Sequence, residues 1–246
     1  MAKSSRTCSN ERKELKAAKK EKQIESNRQI FMNNNLNLSN DQIEARQLIL
    51  NNDITVLIGK AGSGKTFTAC YTALKELAEN RIGQVIITRP MIGTEDMGFL
   101  SGDMNEKYNP WIQPIIQNFN RIFTPAQIKG MMASERISIL PLQFTRGMTY
   151  DNAYVIIDEA QNLSYAQVKL CLTRIGEGSK IILCGDLSQI DLKKKSDSGL
   201  RVVVENEFDK KIENFCIYEL LEEHRKQIII ELIREFEIIE NKSTNK

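Results

Sequence analysis

The stretch Gly59-Lys60-Ala61-Gly62-Ser63-Gly64-Lys65-Thr66 fits G-x-x-x-x-G-K-[ST] at every specified position, and no other feature constrains the chain as much. Its glycines permit a tight turn in which successive N–H groups point inward at a phosphate, beside the positive end of the following helix. The flanks suit that reading: Ile54-Thr55-Val56-Leu57-Ile58 is an apolar, strand-sized run, and residues 67–77 have a helical pattern. Gly59, Lys60, Ala61, Gly62, Ser63, Gly64, Lys65, Thr66 and Phe67 are therefore the candidate nucleotide-binding segment. Lys65 is expected to reach the β/γ-phosphates and Thr66 to hold Mg²⁺.

The same alternation continues downstream. Gln84-Val85-Ile86-Ile87-Thr88, Ile137-Ser138-Ile139-Leu140, Tyr154-Val155-Ile156-Ile157, Lys180-Ile181-Ile182-Leu183-Cys184 and Phe215-Cys216-Ile217-Tyr218 read as strands. Between and around them lie helical patterns. One carries Ile43, Gln47 and Leu50 behind a Ser39 or Asn40 cap; another carries Tyr165, Val168, Leu172 and Ile175 and stops at Gly176. The last shows Ile229, Leu232, Ile233 and Phe236 on one face. Residues 91–135, with Gly93, Gly98, Gly102, Pro110, Pro114, Pro125 and Trp111 between short helical patterns, read as a long irregular excursion. Buried strands alternating with amphipathic helices imply an α/β fold, a mostly parallel sheet with helices on both faces and ligands at the carboxyl ends of the strands.

Those ends carry the chemistry. Asp158 and Glu159 terminate an apolar strand: Asp158 is placed to bind Mg²⁺ opposite Thr66, and Glu159 to polarise the attacking water of a phosphoryl transfer. The competing reading is an acidic pair at the start of the next helix. Gln189, in Gly185-Asp186-Leu187-Ser188-Gln189-Ile190-Asp191, is a candidate γ-phosphate sensor. Arg89 ends another strand, before Pro90.

Composition sets the outer limits. At 41% hydrophobic and 27% charged residues, the 246-residue chain is ordinary globular material with room for one sizeable core. Residues 1–30 hold nine Lys/Arg and four Asp/Glu, a net of +5 against +2 for the whole. Residues 1–35 thus form a basic, polar extension, either a solvated face or a contact for nucleic-acid phosphates. The last residues, 241–246, read as a frayed tail. Cys8, Cys70, Cys171, Cys184 and Cys216 are scattered without a C-x-x-C pair, and His224 stands alone, which argues against zinc and disulfides. No apolar run is long enough for a membrane span and no signal peptide opens the chain, so the expected location is cytoplasmic.

Five ordered blocks resemble the PhoH family of P-loop ATPases, which is similar to the first motor domain of superfamily 1 helicases. They are the phosphate loop, Ile87-Thr88-Arg89-Pro90 with Gly98-Phe99-Leu100-Ser101-Gly102-Asp103, the run from Pro141 to Gly147, the run from Ile156 to Asn162, and Gly185 to Asp191 with Ser198-Gly199-Leu200. The resemblance covers roughly residues 36–240 and implies a RecA-like core. In it, the strand ending at Gly185 lies between the phosphate-loop strand and the strand ending at Asp158, which brings Gln189 to the γ-phosphate. It makes Gln42, in Leu38-Ser39-Asn40-Asp41-Gln42, a candidate adenine reader, with a solvent-facing helix glutamine as the alternative. Two departures stand out. Arg146-Gly147-Met148-Thr149 lacks one cation of the family's Arg-Gly-Arg-Thr, and Glu223-His224-Arg225-Lys226 replaces its Arg-His-Pro. Arg225 is the candidate γ-phosphate finger, a surface arginine being the competing reading.

The resemblance implies Mg²⁺-dependent ATP hydrolysis coupled to single-stranded RNA or DNA, with Arg89, Trp111 and Arg146 as candidate nucleic-acid contacts. The alternative is an ATP-driven protein switch that touches no nucleic acid. One phosphate loop and one core leave no room for a second motor domain or a fused PIN-type nuclease, so an arginine from a neighbouring copy is expected to complete the site in a homo-oligomeric ring, a hexamer by family resemblance.

Overall fold

Each apolar run becomes a strand: β1 (Ile54–Ile58), β2 (Gln84–Arg89), β3 (Ile137–Pro141), β4 (Ala153–Ile157), β5 (Lys180–Gly185) and β6 (Phe215–Glu219). In the computed structural model all six pair in parallel in the order β3-β2-β4-β5-β1-β6. β5 lies between β1 and β4, the position the resemblance implies. The structure describes residues 36–90, 104–142, 147, 149–224 and 226–244, so the basic extension lies outside the described residues.

Side chains alternate between two cores because the strand period is two. Leu57, Ile156, Ile182 and Cys184 face one; Val56, Val155, Ile157, Ile181 and Leu183 face the other. Helices α1 (Asn40–Asn51), α2 (Lys65–Ala78), α3 (Met104–Asn120) and α4 (Pro125–Ala133) cover the first face. Helices α5 (Tyr165–Leu172) and α6 (Gly199–Glu205) cover the second. The free cysteines Cys70, Cys171 and Cys184 are buried filler.

The structure differs from the sequence reading at four places. α1 buries Gln42, Ala45 and Ile49, not Ile43, Gln47 and Leu50, and Ile43 stays 48% exposed. Its rotation is set by Asp41, whose Oδ2 accepts from Leu221 N and Glu222 N at 2.8 and 2.9 Å just past β6. Residues 104–133, read as short helical patterns within a long irregular excursion, hold two regular helices, with Pro110 and Pro114 inside α3. An interior proline costs ~3 kcal/mol or more; burial of Ile115, Phe119, Ile122 and Phe123, roughly 1.5–3 kcal/mol each, is large enough to offset two. α5 ends at Leu172, because Ile175 leaves to bridge Tyr150. Finally, α7 (Gln227–Thr244) carries regular helix into the expected tail, and Ile229, Leu232 and Phe236 of its apolar face are 41%, 46% and 61% exposed. Among the described residues no helix is long and apolar enough to cross a membrane.

Candidate nucleotide site

Parallel pairing brings the carboxyl ends of all six strands to one edge, where a cleft of about 750 Å³ opens. The phosphate loop leaves β1 there with Gly59 at φ +144° and Gly64 at φ +86°. A Cβ at Gly59 would stand 2.4 Å from Leu220 O, and one at Gly64 2.3 Å from Gln42 Nε2, so both positions require glycine. Lys65 turns back over the loop and donates to Gly59 O (2.6 Å), Lys60 O (2.9 Å) and Ser63 Oγ (3.4 Å). Burial lowers its pKa from the ordinary lysine value, against the pull of Asp186 and other nearby acids.

Opposite the loop, Thr66 Oγ1 donates to Asp158 Oδ1 at 2.7 Å. Burial raises the Asp158 pKa above the ordinary carboxylate value, although the Thr66 bond holds it down. Glu159 follows in the left-handed region, φ +53°. Both of its carboxylate oxygens are engaged: Oε1 accepts from Arg89 Nη2 at 2.9 Å, Oε2 from Gln161 Nε2 at 2.7 Å. Arg89 Nε also stands 4.0 Å from Asp158 Oδ2, so this candidate nucleic-acid residue sits against the acidic pair.

Gln161, fully buried, links Glu159 to the loop after β5. It donates to Gln189 O at 3.2 Å, and its Oε1 accepts from Asp186 N at 3.1 Å. Asp186 is 6% exposed; Oδ1 accepts from Ser188 N and Oγ, while Oδ2 has no hydrogen-bond partner among the described residues.

Gln42 is buried, not solvent-facing. It closes a capping box with Ser39, whose N–H donates to Gln42 Oε1 at 3.2 Å, and it lines the cleft. Ala61, Gly62, Gly64, Lys65, Thr66, Phe67, Asp158, Glu159 and Gln189 line it too. Gly59, Lys60 and Ser63 supply the oxygens that hold Lys65. Arg146, Arg225 and the Trp111 side chain lie outside the described residues. Sequence reasoning placed Asp186 at the ligand-binding end of a strand without giving it a role, and missed Gln161, Asn118 and Arg121 as members of the site. Gln161 and Asp186 stood inside quoted blocks, whereas nothing in the sequence singled out the two residues of α3.

A buried carboxylate kept for chemistry is held at some cost to stability. Asp158→Asn preserves the acceptor for Thr66 and removes the charge, so the nucleotide-free variant should melt about 2–4 °C higher, for ~1 kcal/mol gained. Thermal unfolding measures this; a fall of several degrees would show that the carboxylate itself holds the fold.

The sequence pattern of the family described as PhoH-like protein matches residues 36–237. A PhoH-like protein of Synechocystis is 38% identical over 79% of this chain and 60% of its own length. One of Bacillus subtilis is 44% identical over 63% and 49%. The chain thus spans about half to three fifths of these relatives. Among solved structures, the Pif1 helicase of Candida albicans is similar at a TM-score of 0.41 and 17% identity, covering 81% of this chain and 43% of that one, too distant to add to the family match. With a phosphate loop between β1 and α2, a carboxylate pair at the end of β4 and a match through nearly the whole folded part, the chain belongs to the PhoH-like protein family and has a P-loop NTPase fold.

Proposed function

We propose that the chain is an Mg²⁺-dependent ATPase whose turnover is coupled to single-stranded RNA or DNA. The observation that carries this reading is the Thr66–Asp158 hydrogen bond of 2.7 Å, with Lys65 and Glu159 beside it in one cleft. The triphosphate suits the glycine-built loop and the Lys65 ammonium, and Gln42 suits the adenine edge. A hydroxyl and a carboxylate are hard oxygen ligands. Among the described residues no group of three or more His, Cys, Asp or Glu could hold a metal unaided. Both facts fit Mg²⁺, which binds one or two protein oxygens together with substrate phosphates. When bound, Mg²⁺ neutralises charge on the phosphate oxygens. Glu159 accepts the proton of a water attacking the γ-phosphorus in line, the bond to the β,γ-bridging oxygen breaks, and ADP and inorganic phosphate leave. Gln189 senses the γ-phosphate, and Gln161 relays its position to Glu159.

Coupling to nucleic acid rests on Arg89, with Trp111 and Arg146 as further contacts. The Arg89 guanidinium is bonded to Glu159, so a phosphodiester that engages it competes with the base itself. Self-association is supported by the exposed Ile228, Ile229, Leu232, Phe236 and Ile239 of α7. A neighbouring copy, or Arg225, supplies the arginine, worth about 10³–10⁵-fold in rate. A size-fractionated sample should release phosphate several-fold faster with oligo(U) or oligo(dT), the oligomer outpacing the monomer per chain. Undiminished turnover that neither strand stimulates would favour the ATP-driven protein switch.

A further inference from the structure

The cleft lining divides by chemistry. Asp158 is bonded to Thr66, and Glu159, Asp186 and Gln189 line the same cleft, whereas Leu36, Leu38, Phe67, Asn118 and Arg121 supply apolar and planar groups from segments far apart in sequence. Phe67 directly follows Thr66, on the first turn of α2, and is 7% exposed. Over its ring lies the Arg121 guanidinium, with Cζ 4.3 Å from the centroid. Arg121 is solvent-exposed and makes no salt bridge among the described residues, so the contact described for its guanidinium is the aromatic ring and not a carboxylate.

A guanidinium stacked on one face by an aromatic ring can offer its other face to a second flat π-system, and it is weakly hydrated enough to do so at little desolvation cost. A phosphate needs no such plane, because any nearby cation attracts it. We propose that Arg121, stacked on Phe67, is the platform for the nucleobase, and that it makes the cleft prefer a purine nucleoside triphosphate to the bare polyphosphate. This rests on the reading that the loop holds a triphosphate. Arg121 binds the substrate without touching the reacting atoms, so it is a specificity-determining residue.

The test compares two probes at fixed Mg²⁺, ATP and inorganic tripolyphosphate, by calorimetric titration of the full chain. Arg121→Ala should weaken ATP binding about 10-fold and leave tripolyphosphate binding unchanged. Arg121→Lys, which keeps the charge without the plane, should behave as Arg121→Ala does. Equal weakening of both probes would mean that Arg121 acts on the phosphates by charge, and no change in either would mean that it does not meet the base; each result overturns the proposal. The underlying reading fails separately, if Lys65→Ala leaves both probes bound as in the wild type.

Discussion

Glu159→Gln should bind ATP as tightly as the wild type and turn it over about 10²–10⁴-fold more slowly, the range that a general base contributes. The substitution is isosteric and changes only the group that takes the proton from water. Lys65 and Thr66, which hold the phosphates and Mg²⁺ in this reading, make no hydrogen bond to Glu159, and Asp158 meets only the Glu159 backbone, which the substitution keeps. The variant does lose its ion pair with Arg89, but that guanidinium side chain is 22% exposed and solvent can take it up. The loss should therefore appear in kcat, with KM nearly unchanged, and ATP should remain unhydrolysed on the protein. Turnover within about threefold of the wild type would assign the base elsewhere.

Lys65→Ala should fail earlier, at binding. Lys65 is the ammonium held at the mouth of the loop, and a charge-assisted hydrogen bond to phosphate is worth ~1.5–3 kcal/mol. ATP affinity is expected to fall about 10–150-fold, so that, unlike in Glu159→Gln, the loss appears in binding. The side chain also bonds Gly59 O and Lys60 O, so unfolding should be measured in parallel. A melting temperature within a few degrees of the wild type, with binding lost, separates a phosphate contact from a structural prop. Retained affinity in a folded variant would contradict the role given to the loop.

Local features of this chain were legible in its residues; relations between distant segments were not. Each apolar run became a strand within a residue of its expected limits, because buried parallel strands leave an uninterrupted apolar signal. The strand order could not be read from spacing and came from the resemblance. The inward face of α1 was misread because Asp41, bonded to the backbone beyond β6 about 180 residues away, sets the rotation that the sequence of α1 alone leaves open. The helical patterns around Pro110 and Pro114 were visible but short, and the burial of Ile115 and Phe119 supports the longer α3. In the site, the loop, Asp158 and Glu159 were visible as motifs with fixed spacing. Arg121 was invisible, since its significance lies in a ring 54 positions earlier, and so was the Arg89 pairing with Glu159, 70 positions later.

The most direct measurement is phosphate release from ATP by the purified chain, with and without Mg²⁺, beside Glu159→Gln prepared identically. The expected result is turnover that requires Mg²⁺ and falls at least about 10²-fold in the variant, while both proteins bind ATP equally. Turnover that survives chelation of Mg²⁺, or that is equal in the two proteins, would contradict hydrolysis at this cleft.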